Sequence, residues 1–247
     1  MKFRLCLAFL LTSTGGAFAQ HGGGAASEAA PFGSPVEDQH VWAHVIAEQL
    51  EGRFGRDNGF RWNAEAWTGT DSNRLWLKSE GATGDKGKVE EGRHELLYDR
   101  PITSFFDLQA GLRSDIDSRA GRSWAAFGVE GLAPLFFHVS ATGYASSGGH
   151  YAARLEGNYD LLLTQRLILQ PELELNFYSK SDPARGLGSG LADMDSGLRL
   201  RYEFSRKFAP YIGVAYENRF ASTAALARAG GEKPSNLRFT FGLRAWL

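Results

Sequence analysis

From Asn236 to Leu247 the chain alternates: Leu237, Phe239, Phe241, Leu243, Ala245 and Leu247 fall on one parity, and Arg238, Thr240, Gly242, Arg244 and Trp246 on the other. A period of two marks a strand with one apolar face. At about a dozen residues the run exceeds the roughly 5–6 of a soluble strand. It suits the about 9–11 residues with which a tilted strand crosses a bilayer. Because the run reaches the last residue with no tail, this strand is expected to pair on both edges. Its partner on the open side is the first strand, which closes a barrel and removes the edges.

The same alternation recurs upstream. Phe60, Trp62, Ala64 and Ala66 oppose Arg61, Asn63 and Glu65, and Phe106, Leu108, Ala110 and Leu112 oppose Asp107, Gln109 and Arg113. Phe137, Val139, Ala141 and Gly143 face one way, and His138, Ser140, Thr142 and Tyr144 the other. The longest case sets Leu167, Leu169, Leu173, Leu175 and Phe177 against Arg166, Gln170, Glu172, Glu174 and Asn176. Next, Met194, Leu198, Leu200, Tyr202 and Phe204 oppose Asp193, Asp195, Arg199, Arg201 and Glu203. Further strands are expected at 74–80, 94–99, 124–131, 151–161 and around Ile212 to Tyr216. Residues 82–91, 114–122, 180–190 and 221–235 read as loops. The segment from Gln39 to Phe54 is ambiguous. Helical spacing puts His40, His44 and Glu48 on one face, whereas period two groups Val41, Ala43, Val45 and Ala47. The turn Arg56-Asp57-Asn58-Gly59 favours a hairpin and hence a first strand.

This pattern predicts an all-β fold: an antiparallel outer-membrane β-barrel of about 12 strands, an even number as such barrels prefer. Short turns near Thr70, Pro101, Pro134, Thr164 and Arg206 alternate mostly with longer loops, which places both termini in the periplasm. A soluble sandwich also alternates, but rarely keeps Arg and Glu on one whole face of such long strands.

Composition adds the compartment. Lys2 and Arg4 precede the apolar run Leu5 to Leu11, and Ala17-Phe18-Ala19 forms a small-x-small cleavage site. Residues 1–19 therefore read as a secretory signal peptide. Its loss takes the formal charge from −1 to −3 and removes Cys6, the sole cysteine. Residues 20–38, rich in Gly, Ala, Ser and Pro, read as a short flexible periplasmic tail, and residues 39–247 as the transmembrane barrel. The charge balance gives no case for nucleic acid.

The charged parity is expected to line the lumen, from Asp107, Arg113 and Glu130 through Arg154, Glu156, Arg166, Glu172 and Glu174 to Asp193, Asp195, Arg199, Arg201, Glu217, Arg238 and Arg244. About eight strands give a filled interior and 16–18 an aqueous channel, so with twelve, long Arg and Glu chains pairing across the lumen nearly fill it. Ion pairing is the leading reading for Glu172 and Glu174; a cation-attracting stripe with Asp193 and Asp195 is the functional one. His40 and His44 are the closest histidine pair, and with Glu48 they offer nitrogen and oxygen donors to a divalent ion. No Ser-His or Asp-His constellation can be assembled, and Gly186-Leu187-Gly188-Ser189-Gly190 lacks the following Lys of a phosphate-binding loop. No enzyme is expected.

A family resemblance refines this. Asn73-Arg74-Leu75-Trp76-Leu77-Lys78-Ser79-Glu80-Gly81, Glu95-Leu96-Leu97-Tyr98-Asp99-Arg100 and the run from Trp124 to Pro134 resemble the copper resistance protein B family. Matches continue from Leu161 to Pro171, at Asp182-Pro183-Ala184-Arg185-Gly186 and at Phe208-Ala209-Pro210-Tyr211. The resemblance implies an outer-membrane barrel tied to copper resistance. It would meet outer-membrane lipids, take a copper ion, and work beside periplasmic copper-handling proteins. Members often carry a Met- and His-rich segment ahead of the barrel; here that segment holds only His21 and no Met. Copper contacts are therefore expected first at His40 and His44, then at Glu172, Glu174, Asp193 and Asp195, with His21 as the tail's candidate. The alternative is a narrow general solute porin or a structural barrel without a copper site.

Overall fold

The computed structural model describes residues 40–84, 87–116 and 121–247. The expected signal peptide, the tail and His21 lie outside these. The described chain winds into antiparallel strands: β1 (Trp42–Phe54), β2 (Gly59–Gly69), β3 (Arg74–Thr83), β4 (Val89–Pro101), β5 (Phe106–Asp115), β6 (Arg122–Ala133), β7 (Phe137–Ser146) and β8 (His150–Asn158). Then follow β9 (Leu161–Leu162), β10 (Leu167–Tyr178), β11 (Gly190–Tyr202), β12 (Phe208–Arg219), helix α1 (Ala221–Ala229) and β13 (Ser235–Trp246). Each long strand pairs with its sequence neighbours, and β13 pairs with β1 to close the ring. Strands β8 and β9 pair in one register with β10, Asn158 opposite Glu172 and Leu161 opposite Leu169. They form one stave, split where Pro171 lacks the N–H for the ladder. Thirteen strands thus make the expected twelve staves.

The molecule is inverted relative to a soluble protein. Phe239 and Phe241 leave 69% and 64% of their surface exposed on the outer wall, while Glu51, Asp99 and Arg199 leave 0%, 0% and 2% inside. An apolar exterior and polar interior are what a barrel crossing a bilayer requires. The inside also holds an apolar cluster of Leu97, Trp124, Ala126, Tyr144 and Ala152, with Trp76 and Tyr178 against it.

Three expectations change. Residues 82–91 are not simply loop: β3 runs to Thr83 and β4 starts at Val89, with Thr83 opposite Val89. There the ladder continues where Val89, Glu90 and Glu91 are all exposed, so no apolar parity announces it. Within 221–235 lies α1, which the Ala-rich run Ala221-Ser222-Thr223-Ala224-Ala225 favours. Its Thr223 Oγ1 accepts from the Gly188 N–H at 2.8 Å, and a Cβ on Gly188 would lie 2.4 Å from the Thr223 nitrogen. Arg166 is not in the lumen; it is exposed in the turn between β9 and β10.

The ambiguous first segment is strand β1, with a bulge. Ala47 pairs with Ala64 and Gln49 with Asn63, leaving Glu48 as the extra residue. A bulge shifts the parity of everything beyond it. Ile46 is buried before it; after it, Gln49, Glu51 and Arg53 are buried.

Candidate functional site

Strand register builds the centre of the lumen. Asp107 lies opposite Glu130, Glu130 opposite Ser140, Ser140 opposite Glu156, Glu156 opposite Glu174, Glu174 opposite Asp195 and Asp195 opposite Glu217. These residues make a transverse acidic row across β5 to β12. Like charges directly opposite one another destabilise a sheet, so the row needs cations.

They come mostly from the facing wall. Arg53 on β1 donates to Asp195 at 2.9 Å and Glu217 at 2.7 Å. Arg61 on β2 donates to Asp195 at 2.7 Å, to Glu174 at 3.1 Å and to Glu80. On β3, Arg74 reaches Asp107 at 3.1 Å and Lys78 reaches Glu130 at 2.5 Å. Arg154 on β8 bridges Glu80 at 2.7 Å and Glu174 at 2.9 Å, and also pairs with Glu156. Glu80 and Glu174 stand on strands half-way round the barrel from each other, so these guanidinium groups span the lumen. A second knot holds Glu51: Arg199 donates at 3.0 and 3.1 Å, Arg53 at 2.8 Å and the Tyr211 hydroxyl at 3.0 Å. The closing strand makes room for it at Gly242, where a Cβ would lie 2.5 Å from the Tyr211 hydroxyl.

Little space is left. A cavity of about 40 Å³ is lined by Glu65, Lys78, Glu80, Arg93, Arg154 and Glu156 among others, room for a few waters. Among the described residues, one carboxylate group has metal-like spacing: Glu80, Glu156 and Glu174 place oxygens within 4.8 Å of one another. Arg61 and Arg154 already occupy those oxygens. A metal ion would have to displace buried guanidinium groups, so this group fits copper poorly.

The mouth where β1 begins and β13 ends differs. His44 stands beside indoles, its ring centroid 5.4 Å from Trp246 and 6.2 Å from Trp67, with Trp76 a further 6.1 Å from Trp67. Arg74 lies over Trp67 and Lys207 over Trp246, at 5.7 and 5.4 Å. Trp246 is fixed by its indole N–H, which donates to the Arg206 carbonyl at 2.5 Å. The His40 ring lies beside Trp42, centroids 4.3 Å apart and planes tilted by 59°. Ring contacts are the only polar or aromatic interactions either imidazole makes with the described residues, and none of these residues hydrogen-bonds to its nitrogens.

The sequence candidates separate accordingly. Four residues of extended chain put His40 and His44 about 13 Å apart, so they do not share one ion. Glu48 is held by Arg244 at 2.6 and 3.0 Å. Glu172 accepts from Arg199 at 2.6 Å and from Gln49 at 2.9 Å. Glu174 and Asp195 belong to the clamped row, and Asp193 accepts from Asn176 at 2.8 Å. All four lumen carboxylates thus carry protein partners, as the ion-pair reading of Glu172 and Glu174 expects. Sequence reasoning placed Glu174 and Asp195 in a stripe. It missed Glu51, Arg53, Lys78 and Glu80, whose alternation along β1 and β3 was the available signal.

A closed antiparallel barrel with an apolar wall and a polar interior defines the class: a porin-like protein of the outer membrane. The fold matches that of the NanC porin, with a TM-score of 0.55 over 83% of this chain and 99% of that one, at 14% identity. Within that class, the family described as "Copper resistance protein B precursor (CopB)" matches residues 41–247, and the chain belongs to it. Copper resistance protein B of Escherichia coli is 44% identical over 215 residues, which cover 87% of this chain and 72% of that protein. A copper resistance protein B homolog of Pseudomonas syringae pv. tomato (strain ATCC BAA-871 / DC3000) is 43% identical, covering 87% and 73%.

Proposed function

We propose that this barrel supports copper resistance by holding copper at its periplasmic mouth, with His44 as the first contact, and performs no catalysis. The observation that carries this is the contrast in occupancy: among the described residues His44 has ring neighbours but no hydrogen-bond partner, whereas the candidate lumen carboxylates are all engaged. Neutral imidazole ranks high among ligands for copper, and copper tops the first-row divalent series at a nitrogen or oxygen site. A single imidazole completed by water gives an exchangeable contact, which suits hand-over better than storage. His40, at the rim, is a second and separate contact. The clamped lumen argues against the narrow general solute porin, because open passage requires Arg61 and Arg154 to release carboxylates on facing walls.

The test is copper tolerance in cells lacking their own version of the protein. The His40→Ala, His44→Ala double variant is expected to reach the outer membrane at normal level and lose tolerance, while deletion of residues 20–30 keeps it. Full tolerance in the double variant with loss on the deletion would move the contact to the tail and His21.

A further inference from the structure

The short turns at the end of the barrel where β1 begins and β13 ends are of two kinds. The β2–β3 turn is Thr70-Asp71-Ser72-Asn73, with the last three exposed. The turns that follow around the rim carry Ile102 and Phe105, then Leu135 and Phe136, then Leu163, then Phe204. All are more than half exposed, and Leu135 and Phe136 reach 76% each.

Leu135 and Phe136 also take the backbone conformation least suited to them, with φ of 66° and 65°. A turn in water would place Gly, Asn or Asp at such positions. Instead the β6–β7 hairpin holds two large apolar side chains off the end of the barrel. They continue the outer wall without a break, since Phe137, which follows directly, is an exposed residue of β7 stacked 4.7 Å from Tyr159. The same continuity holds where Leu161 of β9, opposite Leu169 on the outer face, leads to Leu163.

We propose that the β4–β5, β6–β7, β9–β10 and β11–β12 turns are inserted into the periplasmic leaflet of the outer membrane, while the β2–β3 turn stays in water. The occupant of this surface is phospholipid. Aromatic and aliphatic side chains gain from the membrane interface what they lose in water, and the wall that these turns extend is the one that faces the bilayer. The barrel then sits deeper on one side and turns the opposite rim, where β1 enters and His40 and His44 stand, toward the periplasm. This inference does not depend on copper.

Spin labels at single cysteines test it. In a Cys6→Ser background, Phe136→Cys, Leu163→Cys, Ser72→Cys and the wall control Phe239→Cys are labelled. The proteins are refolded into vesicles of phosphatidylethanolamine and phosphatidylglycerol, and folding is checked by heat-modifiable mobility. Labels at 136 and 163 are expected to follow the one at 239, relaxed more by oxygen than by a water-soluble nickel chelate, and the label at 72 to show the reverse. Either turn label behaving like the one at Ser72 overturns the proposal, and the apolar turns would then face a protein partner instead.

Discussion

The centre of the lumen and the mouth where β1 begins and β13 ends, both built from inward-facing side chains, solve opposite problems. At the centre, register alone lines up Asp107, Glu130, Glu156, Glu174, Asp195 and Glu217, and Arg53, Arg61, Arg74, Lys78 and Arg154 pair with them. At the mouth the inward groups are Trp67, Trp76, Trp246 and His44, and among the described residues the imidazole has only ring contacts. A dense field of carboxylates is therefore not where a cation is best received. Charge density attracts an ion, but only donors with free lone pairs can hold one.

The largest effect is expected from removing a cation of the clamp. Arg61→Ala leaves Glu80, Glu174 and Asp195 short of a partner inside the barrel. Breaking a buried ion pair from one side costs about 3–5 kcal/mol, so urea unfolding in detergent should shift by that order. The surviving barrel should pass more cation current in planar bilayers. An unchanged midpoint would mean that the clamp does not hold the barrel.

On the outer wall, Leu173→Arg puts a charge where Leu173 is 42% exposed on the apolar face of β10. Arg facing lipid near the midplane costs about 2–4 kcal/mol, and the yield of heat-modifiable barrel should drop accordingly. Its neighbour Glu172 points inward, and Glu172→Gln keeps an acceptor for Arg199 and Gln49. An amide in place of the carboxylate loses only the charge-assisted part of those bonds, about 1 kcal/mol. Equal damage from both substitutions would refute the parity assignment.

The smallest stability effect belongs to His44→Ala. The imidazole holds no hydrogen bond among the described residues, so the unfolding midpoint should stay within about 0.5 kcal/mol of the parent. A larger loss would make His44 a structural member of the tryptophan cluster.

Most of the fold was legible because a barrel's strands carry their own signal. The period of two at Leu237 to Leu247 or Leu167 to Phe177 needs no tertiary information to be read. At Val89 to Glu91 the alternation stops while the ladder continues, and the strand is lost to view. Helix α1 was hidden for another reason: its Ala-rich run is only nine residues long, and its hold on Gly188, 35 residues away in sequence, is tertiary. The site was less legible. The bulge at Glu48 means no single parity joins His44 to Glu51 and Arg53, although all belong to β1. The acidic row joins one residue from each of several strands through register, which depends on turn lengths and cannot be summed from local pattern. The copper family was readable in Asn73 to Gly81 and Trp124 to Pro134, but those segments contribute Lys78, Glu80 and Glu130 to the clamp, not a free donor.

The central claim is that copper meets the barrel at its mouth and not in its lumen. It is tested most directly by titrating copper into the folded, detergent-solubilised barrel, with metal analysis of the complex. Wild type, His44→Ala and the lumen variant Glu172→Gln would be compared at one pH. The account predicts that Glu172→Gln binds as wild type does and that His44→Ala binds at least about tenfold more weakly, near 1.4 kcal/mol. Wild-type binding in His44→Ala, with loss in Glu172→Gln, would contradict it and place the copper contact among the lumen carboxylates.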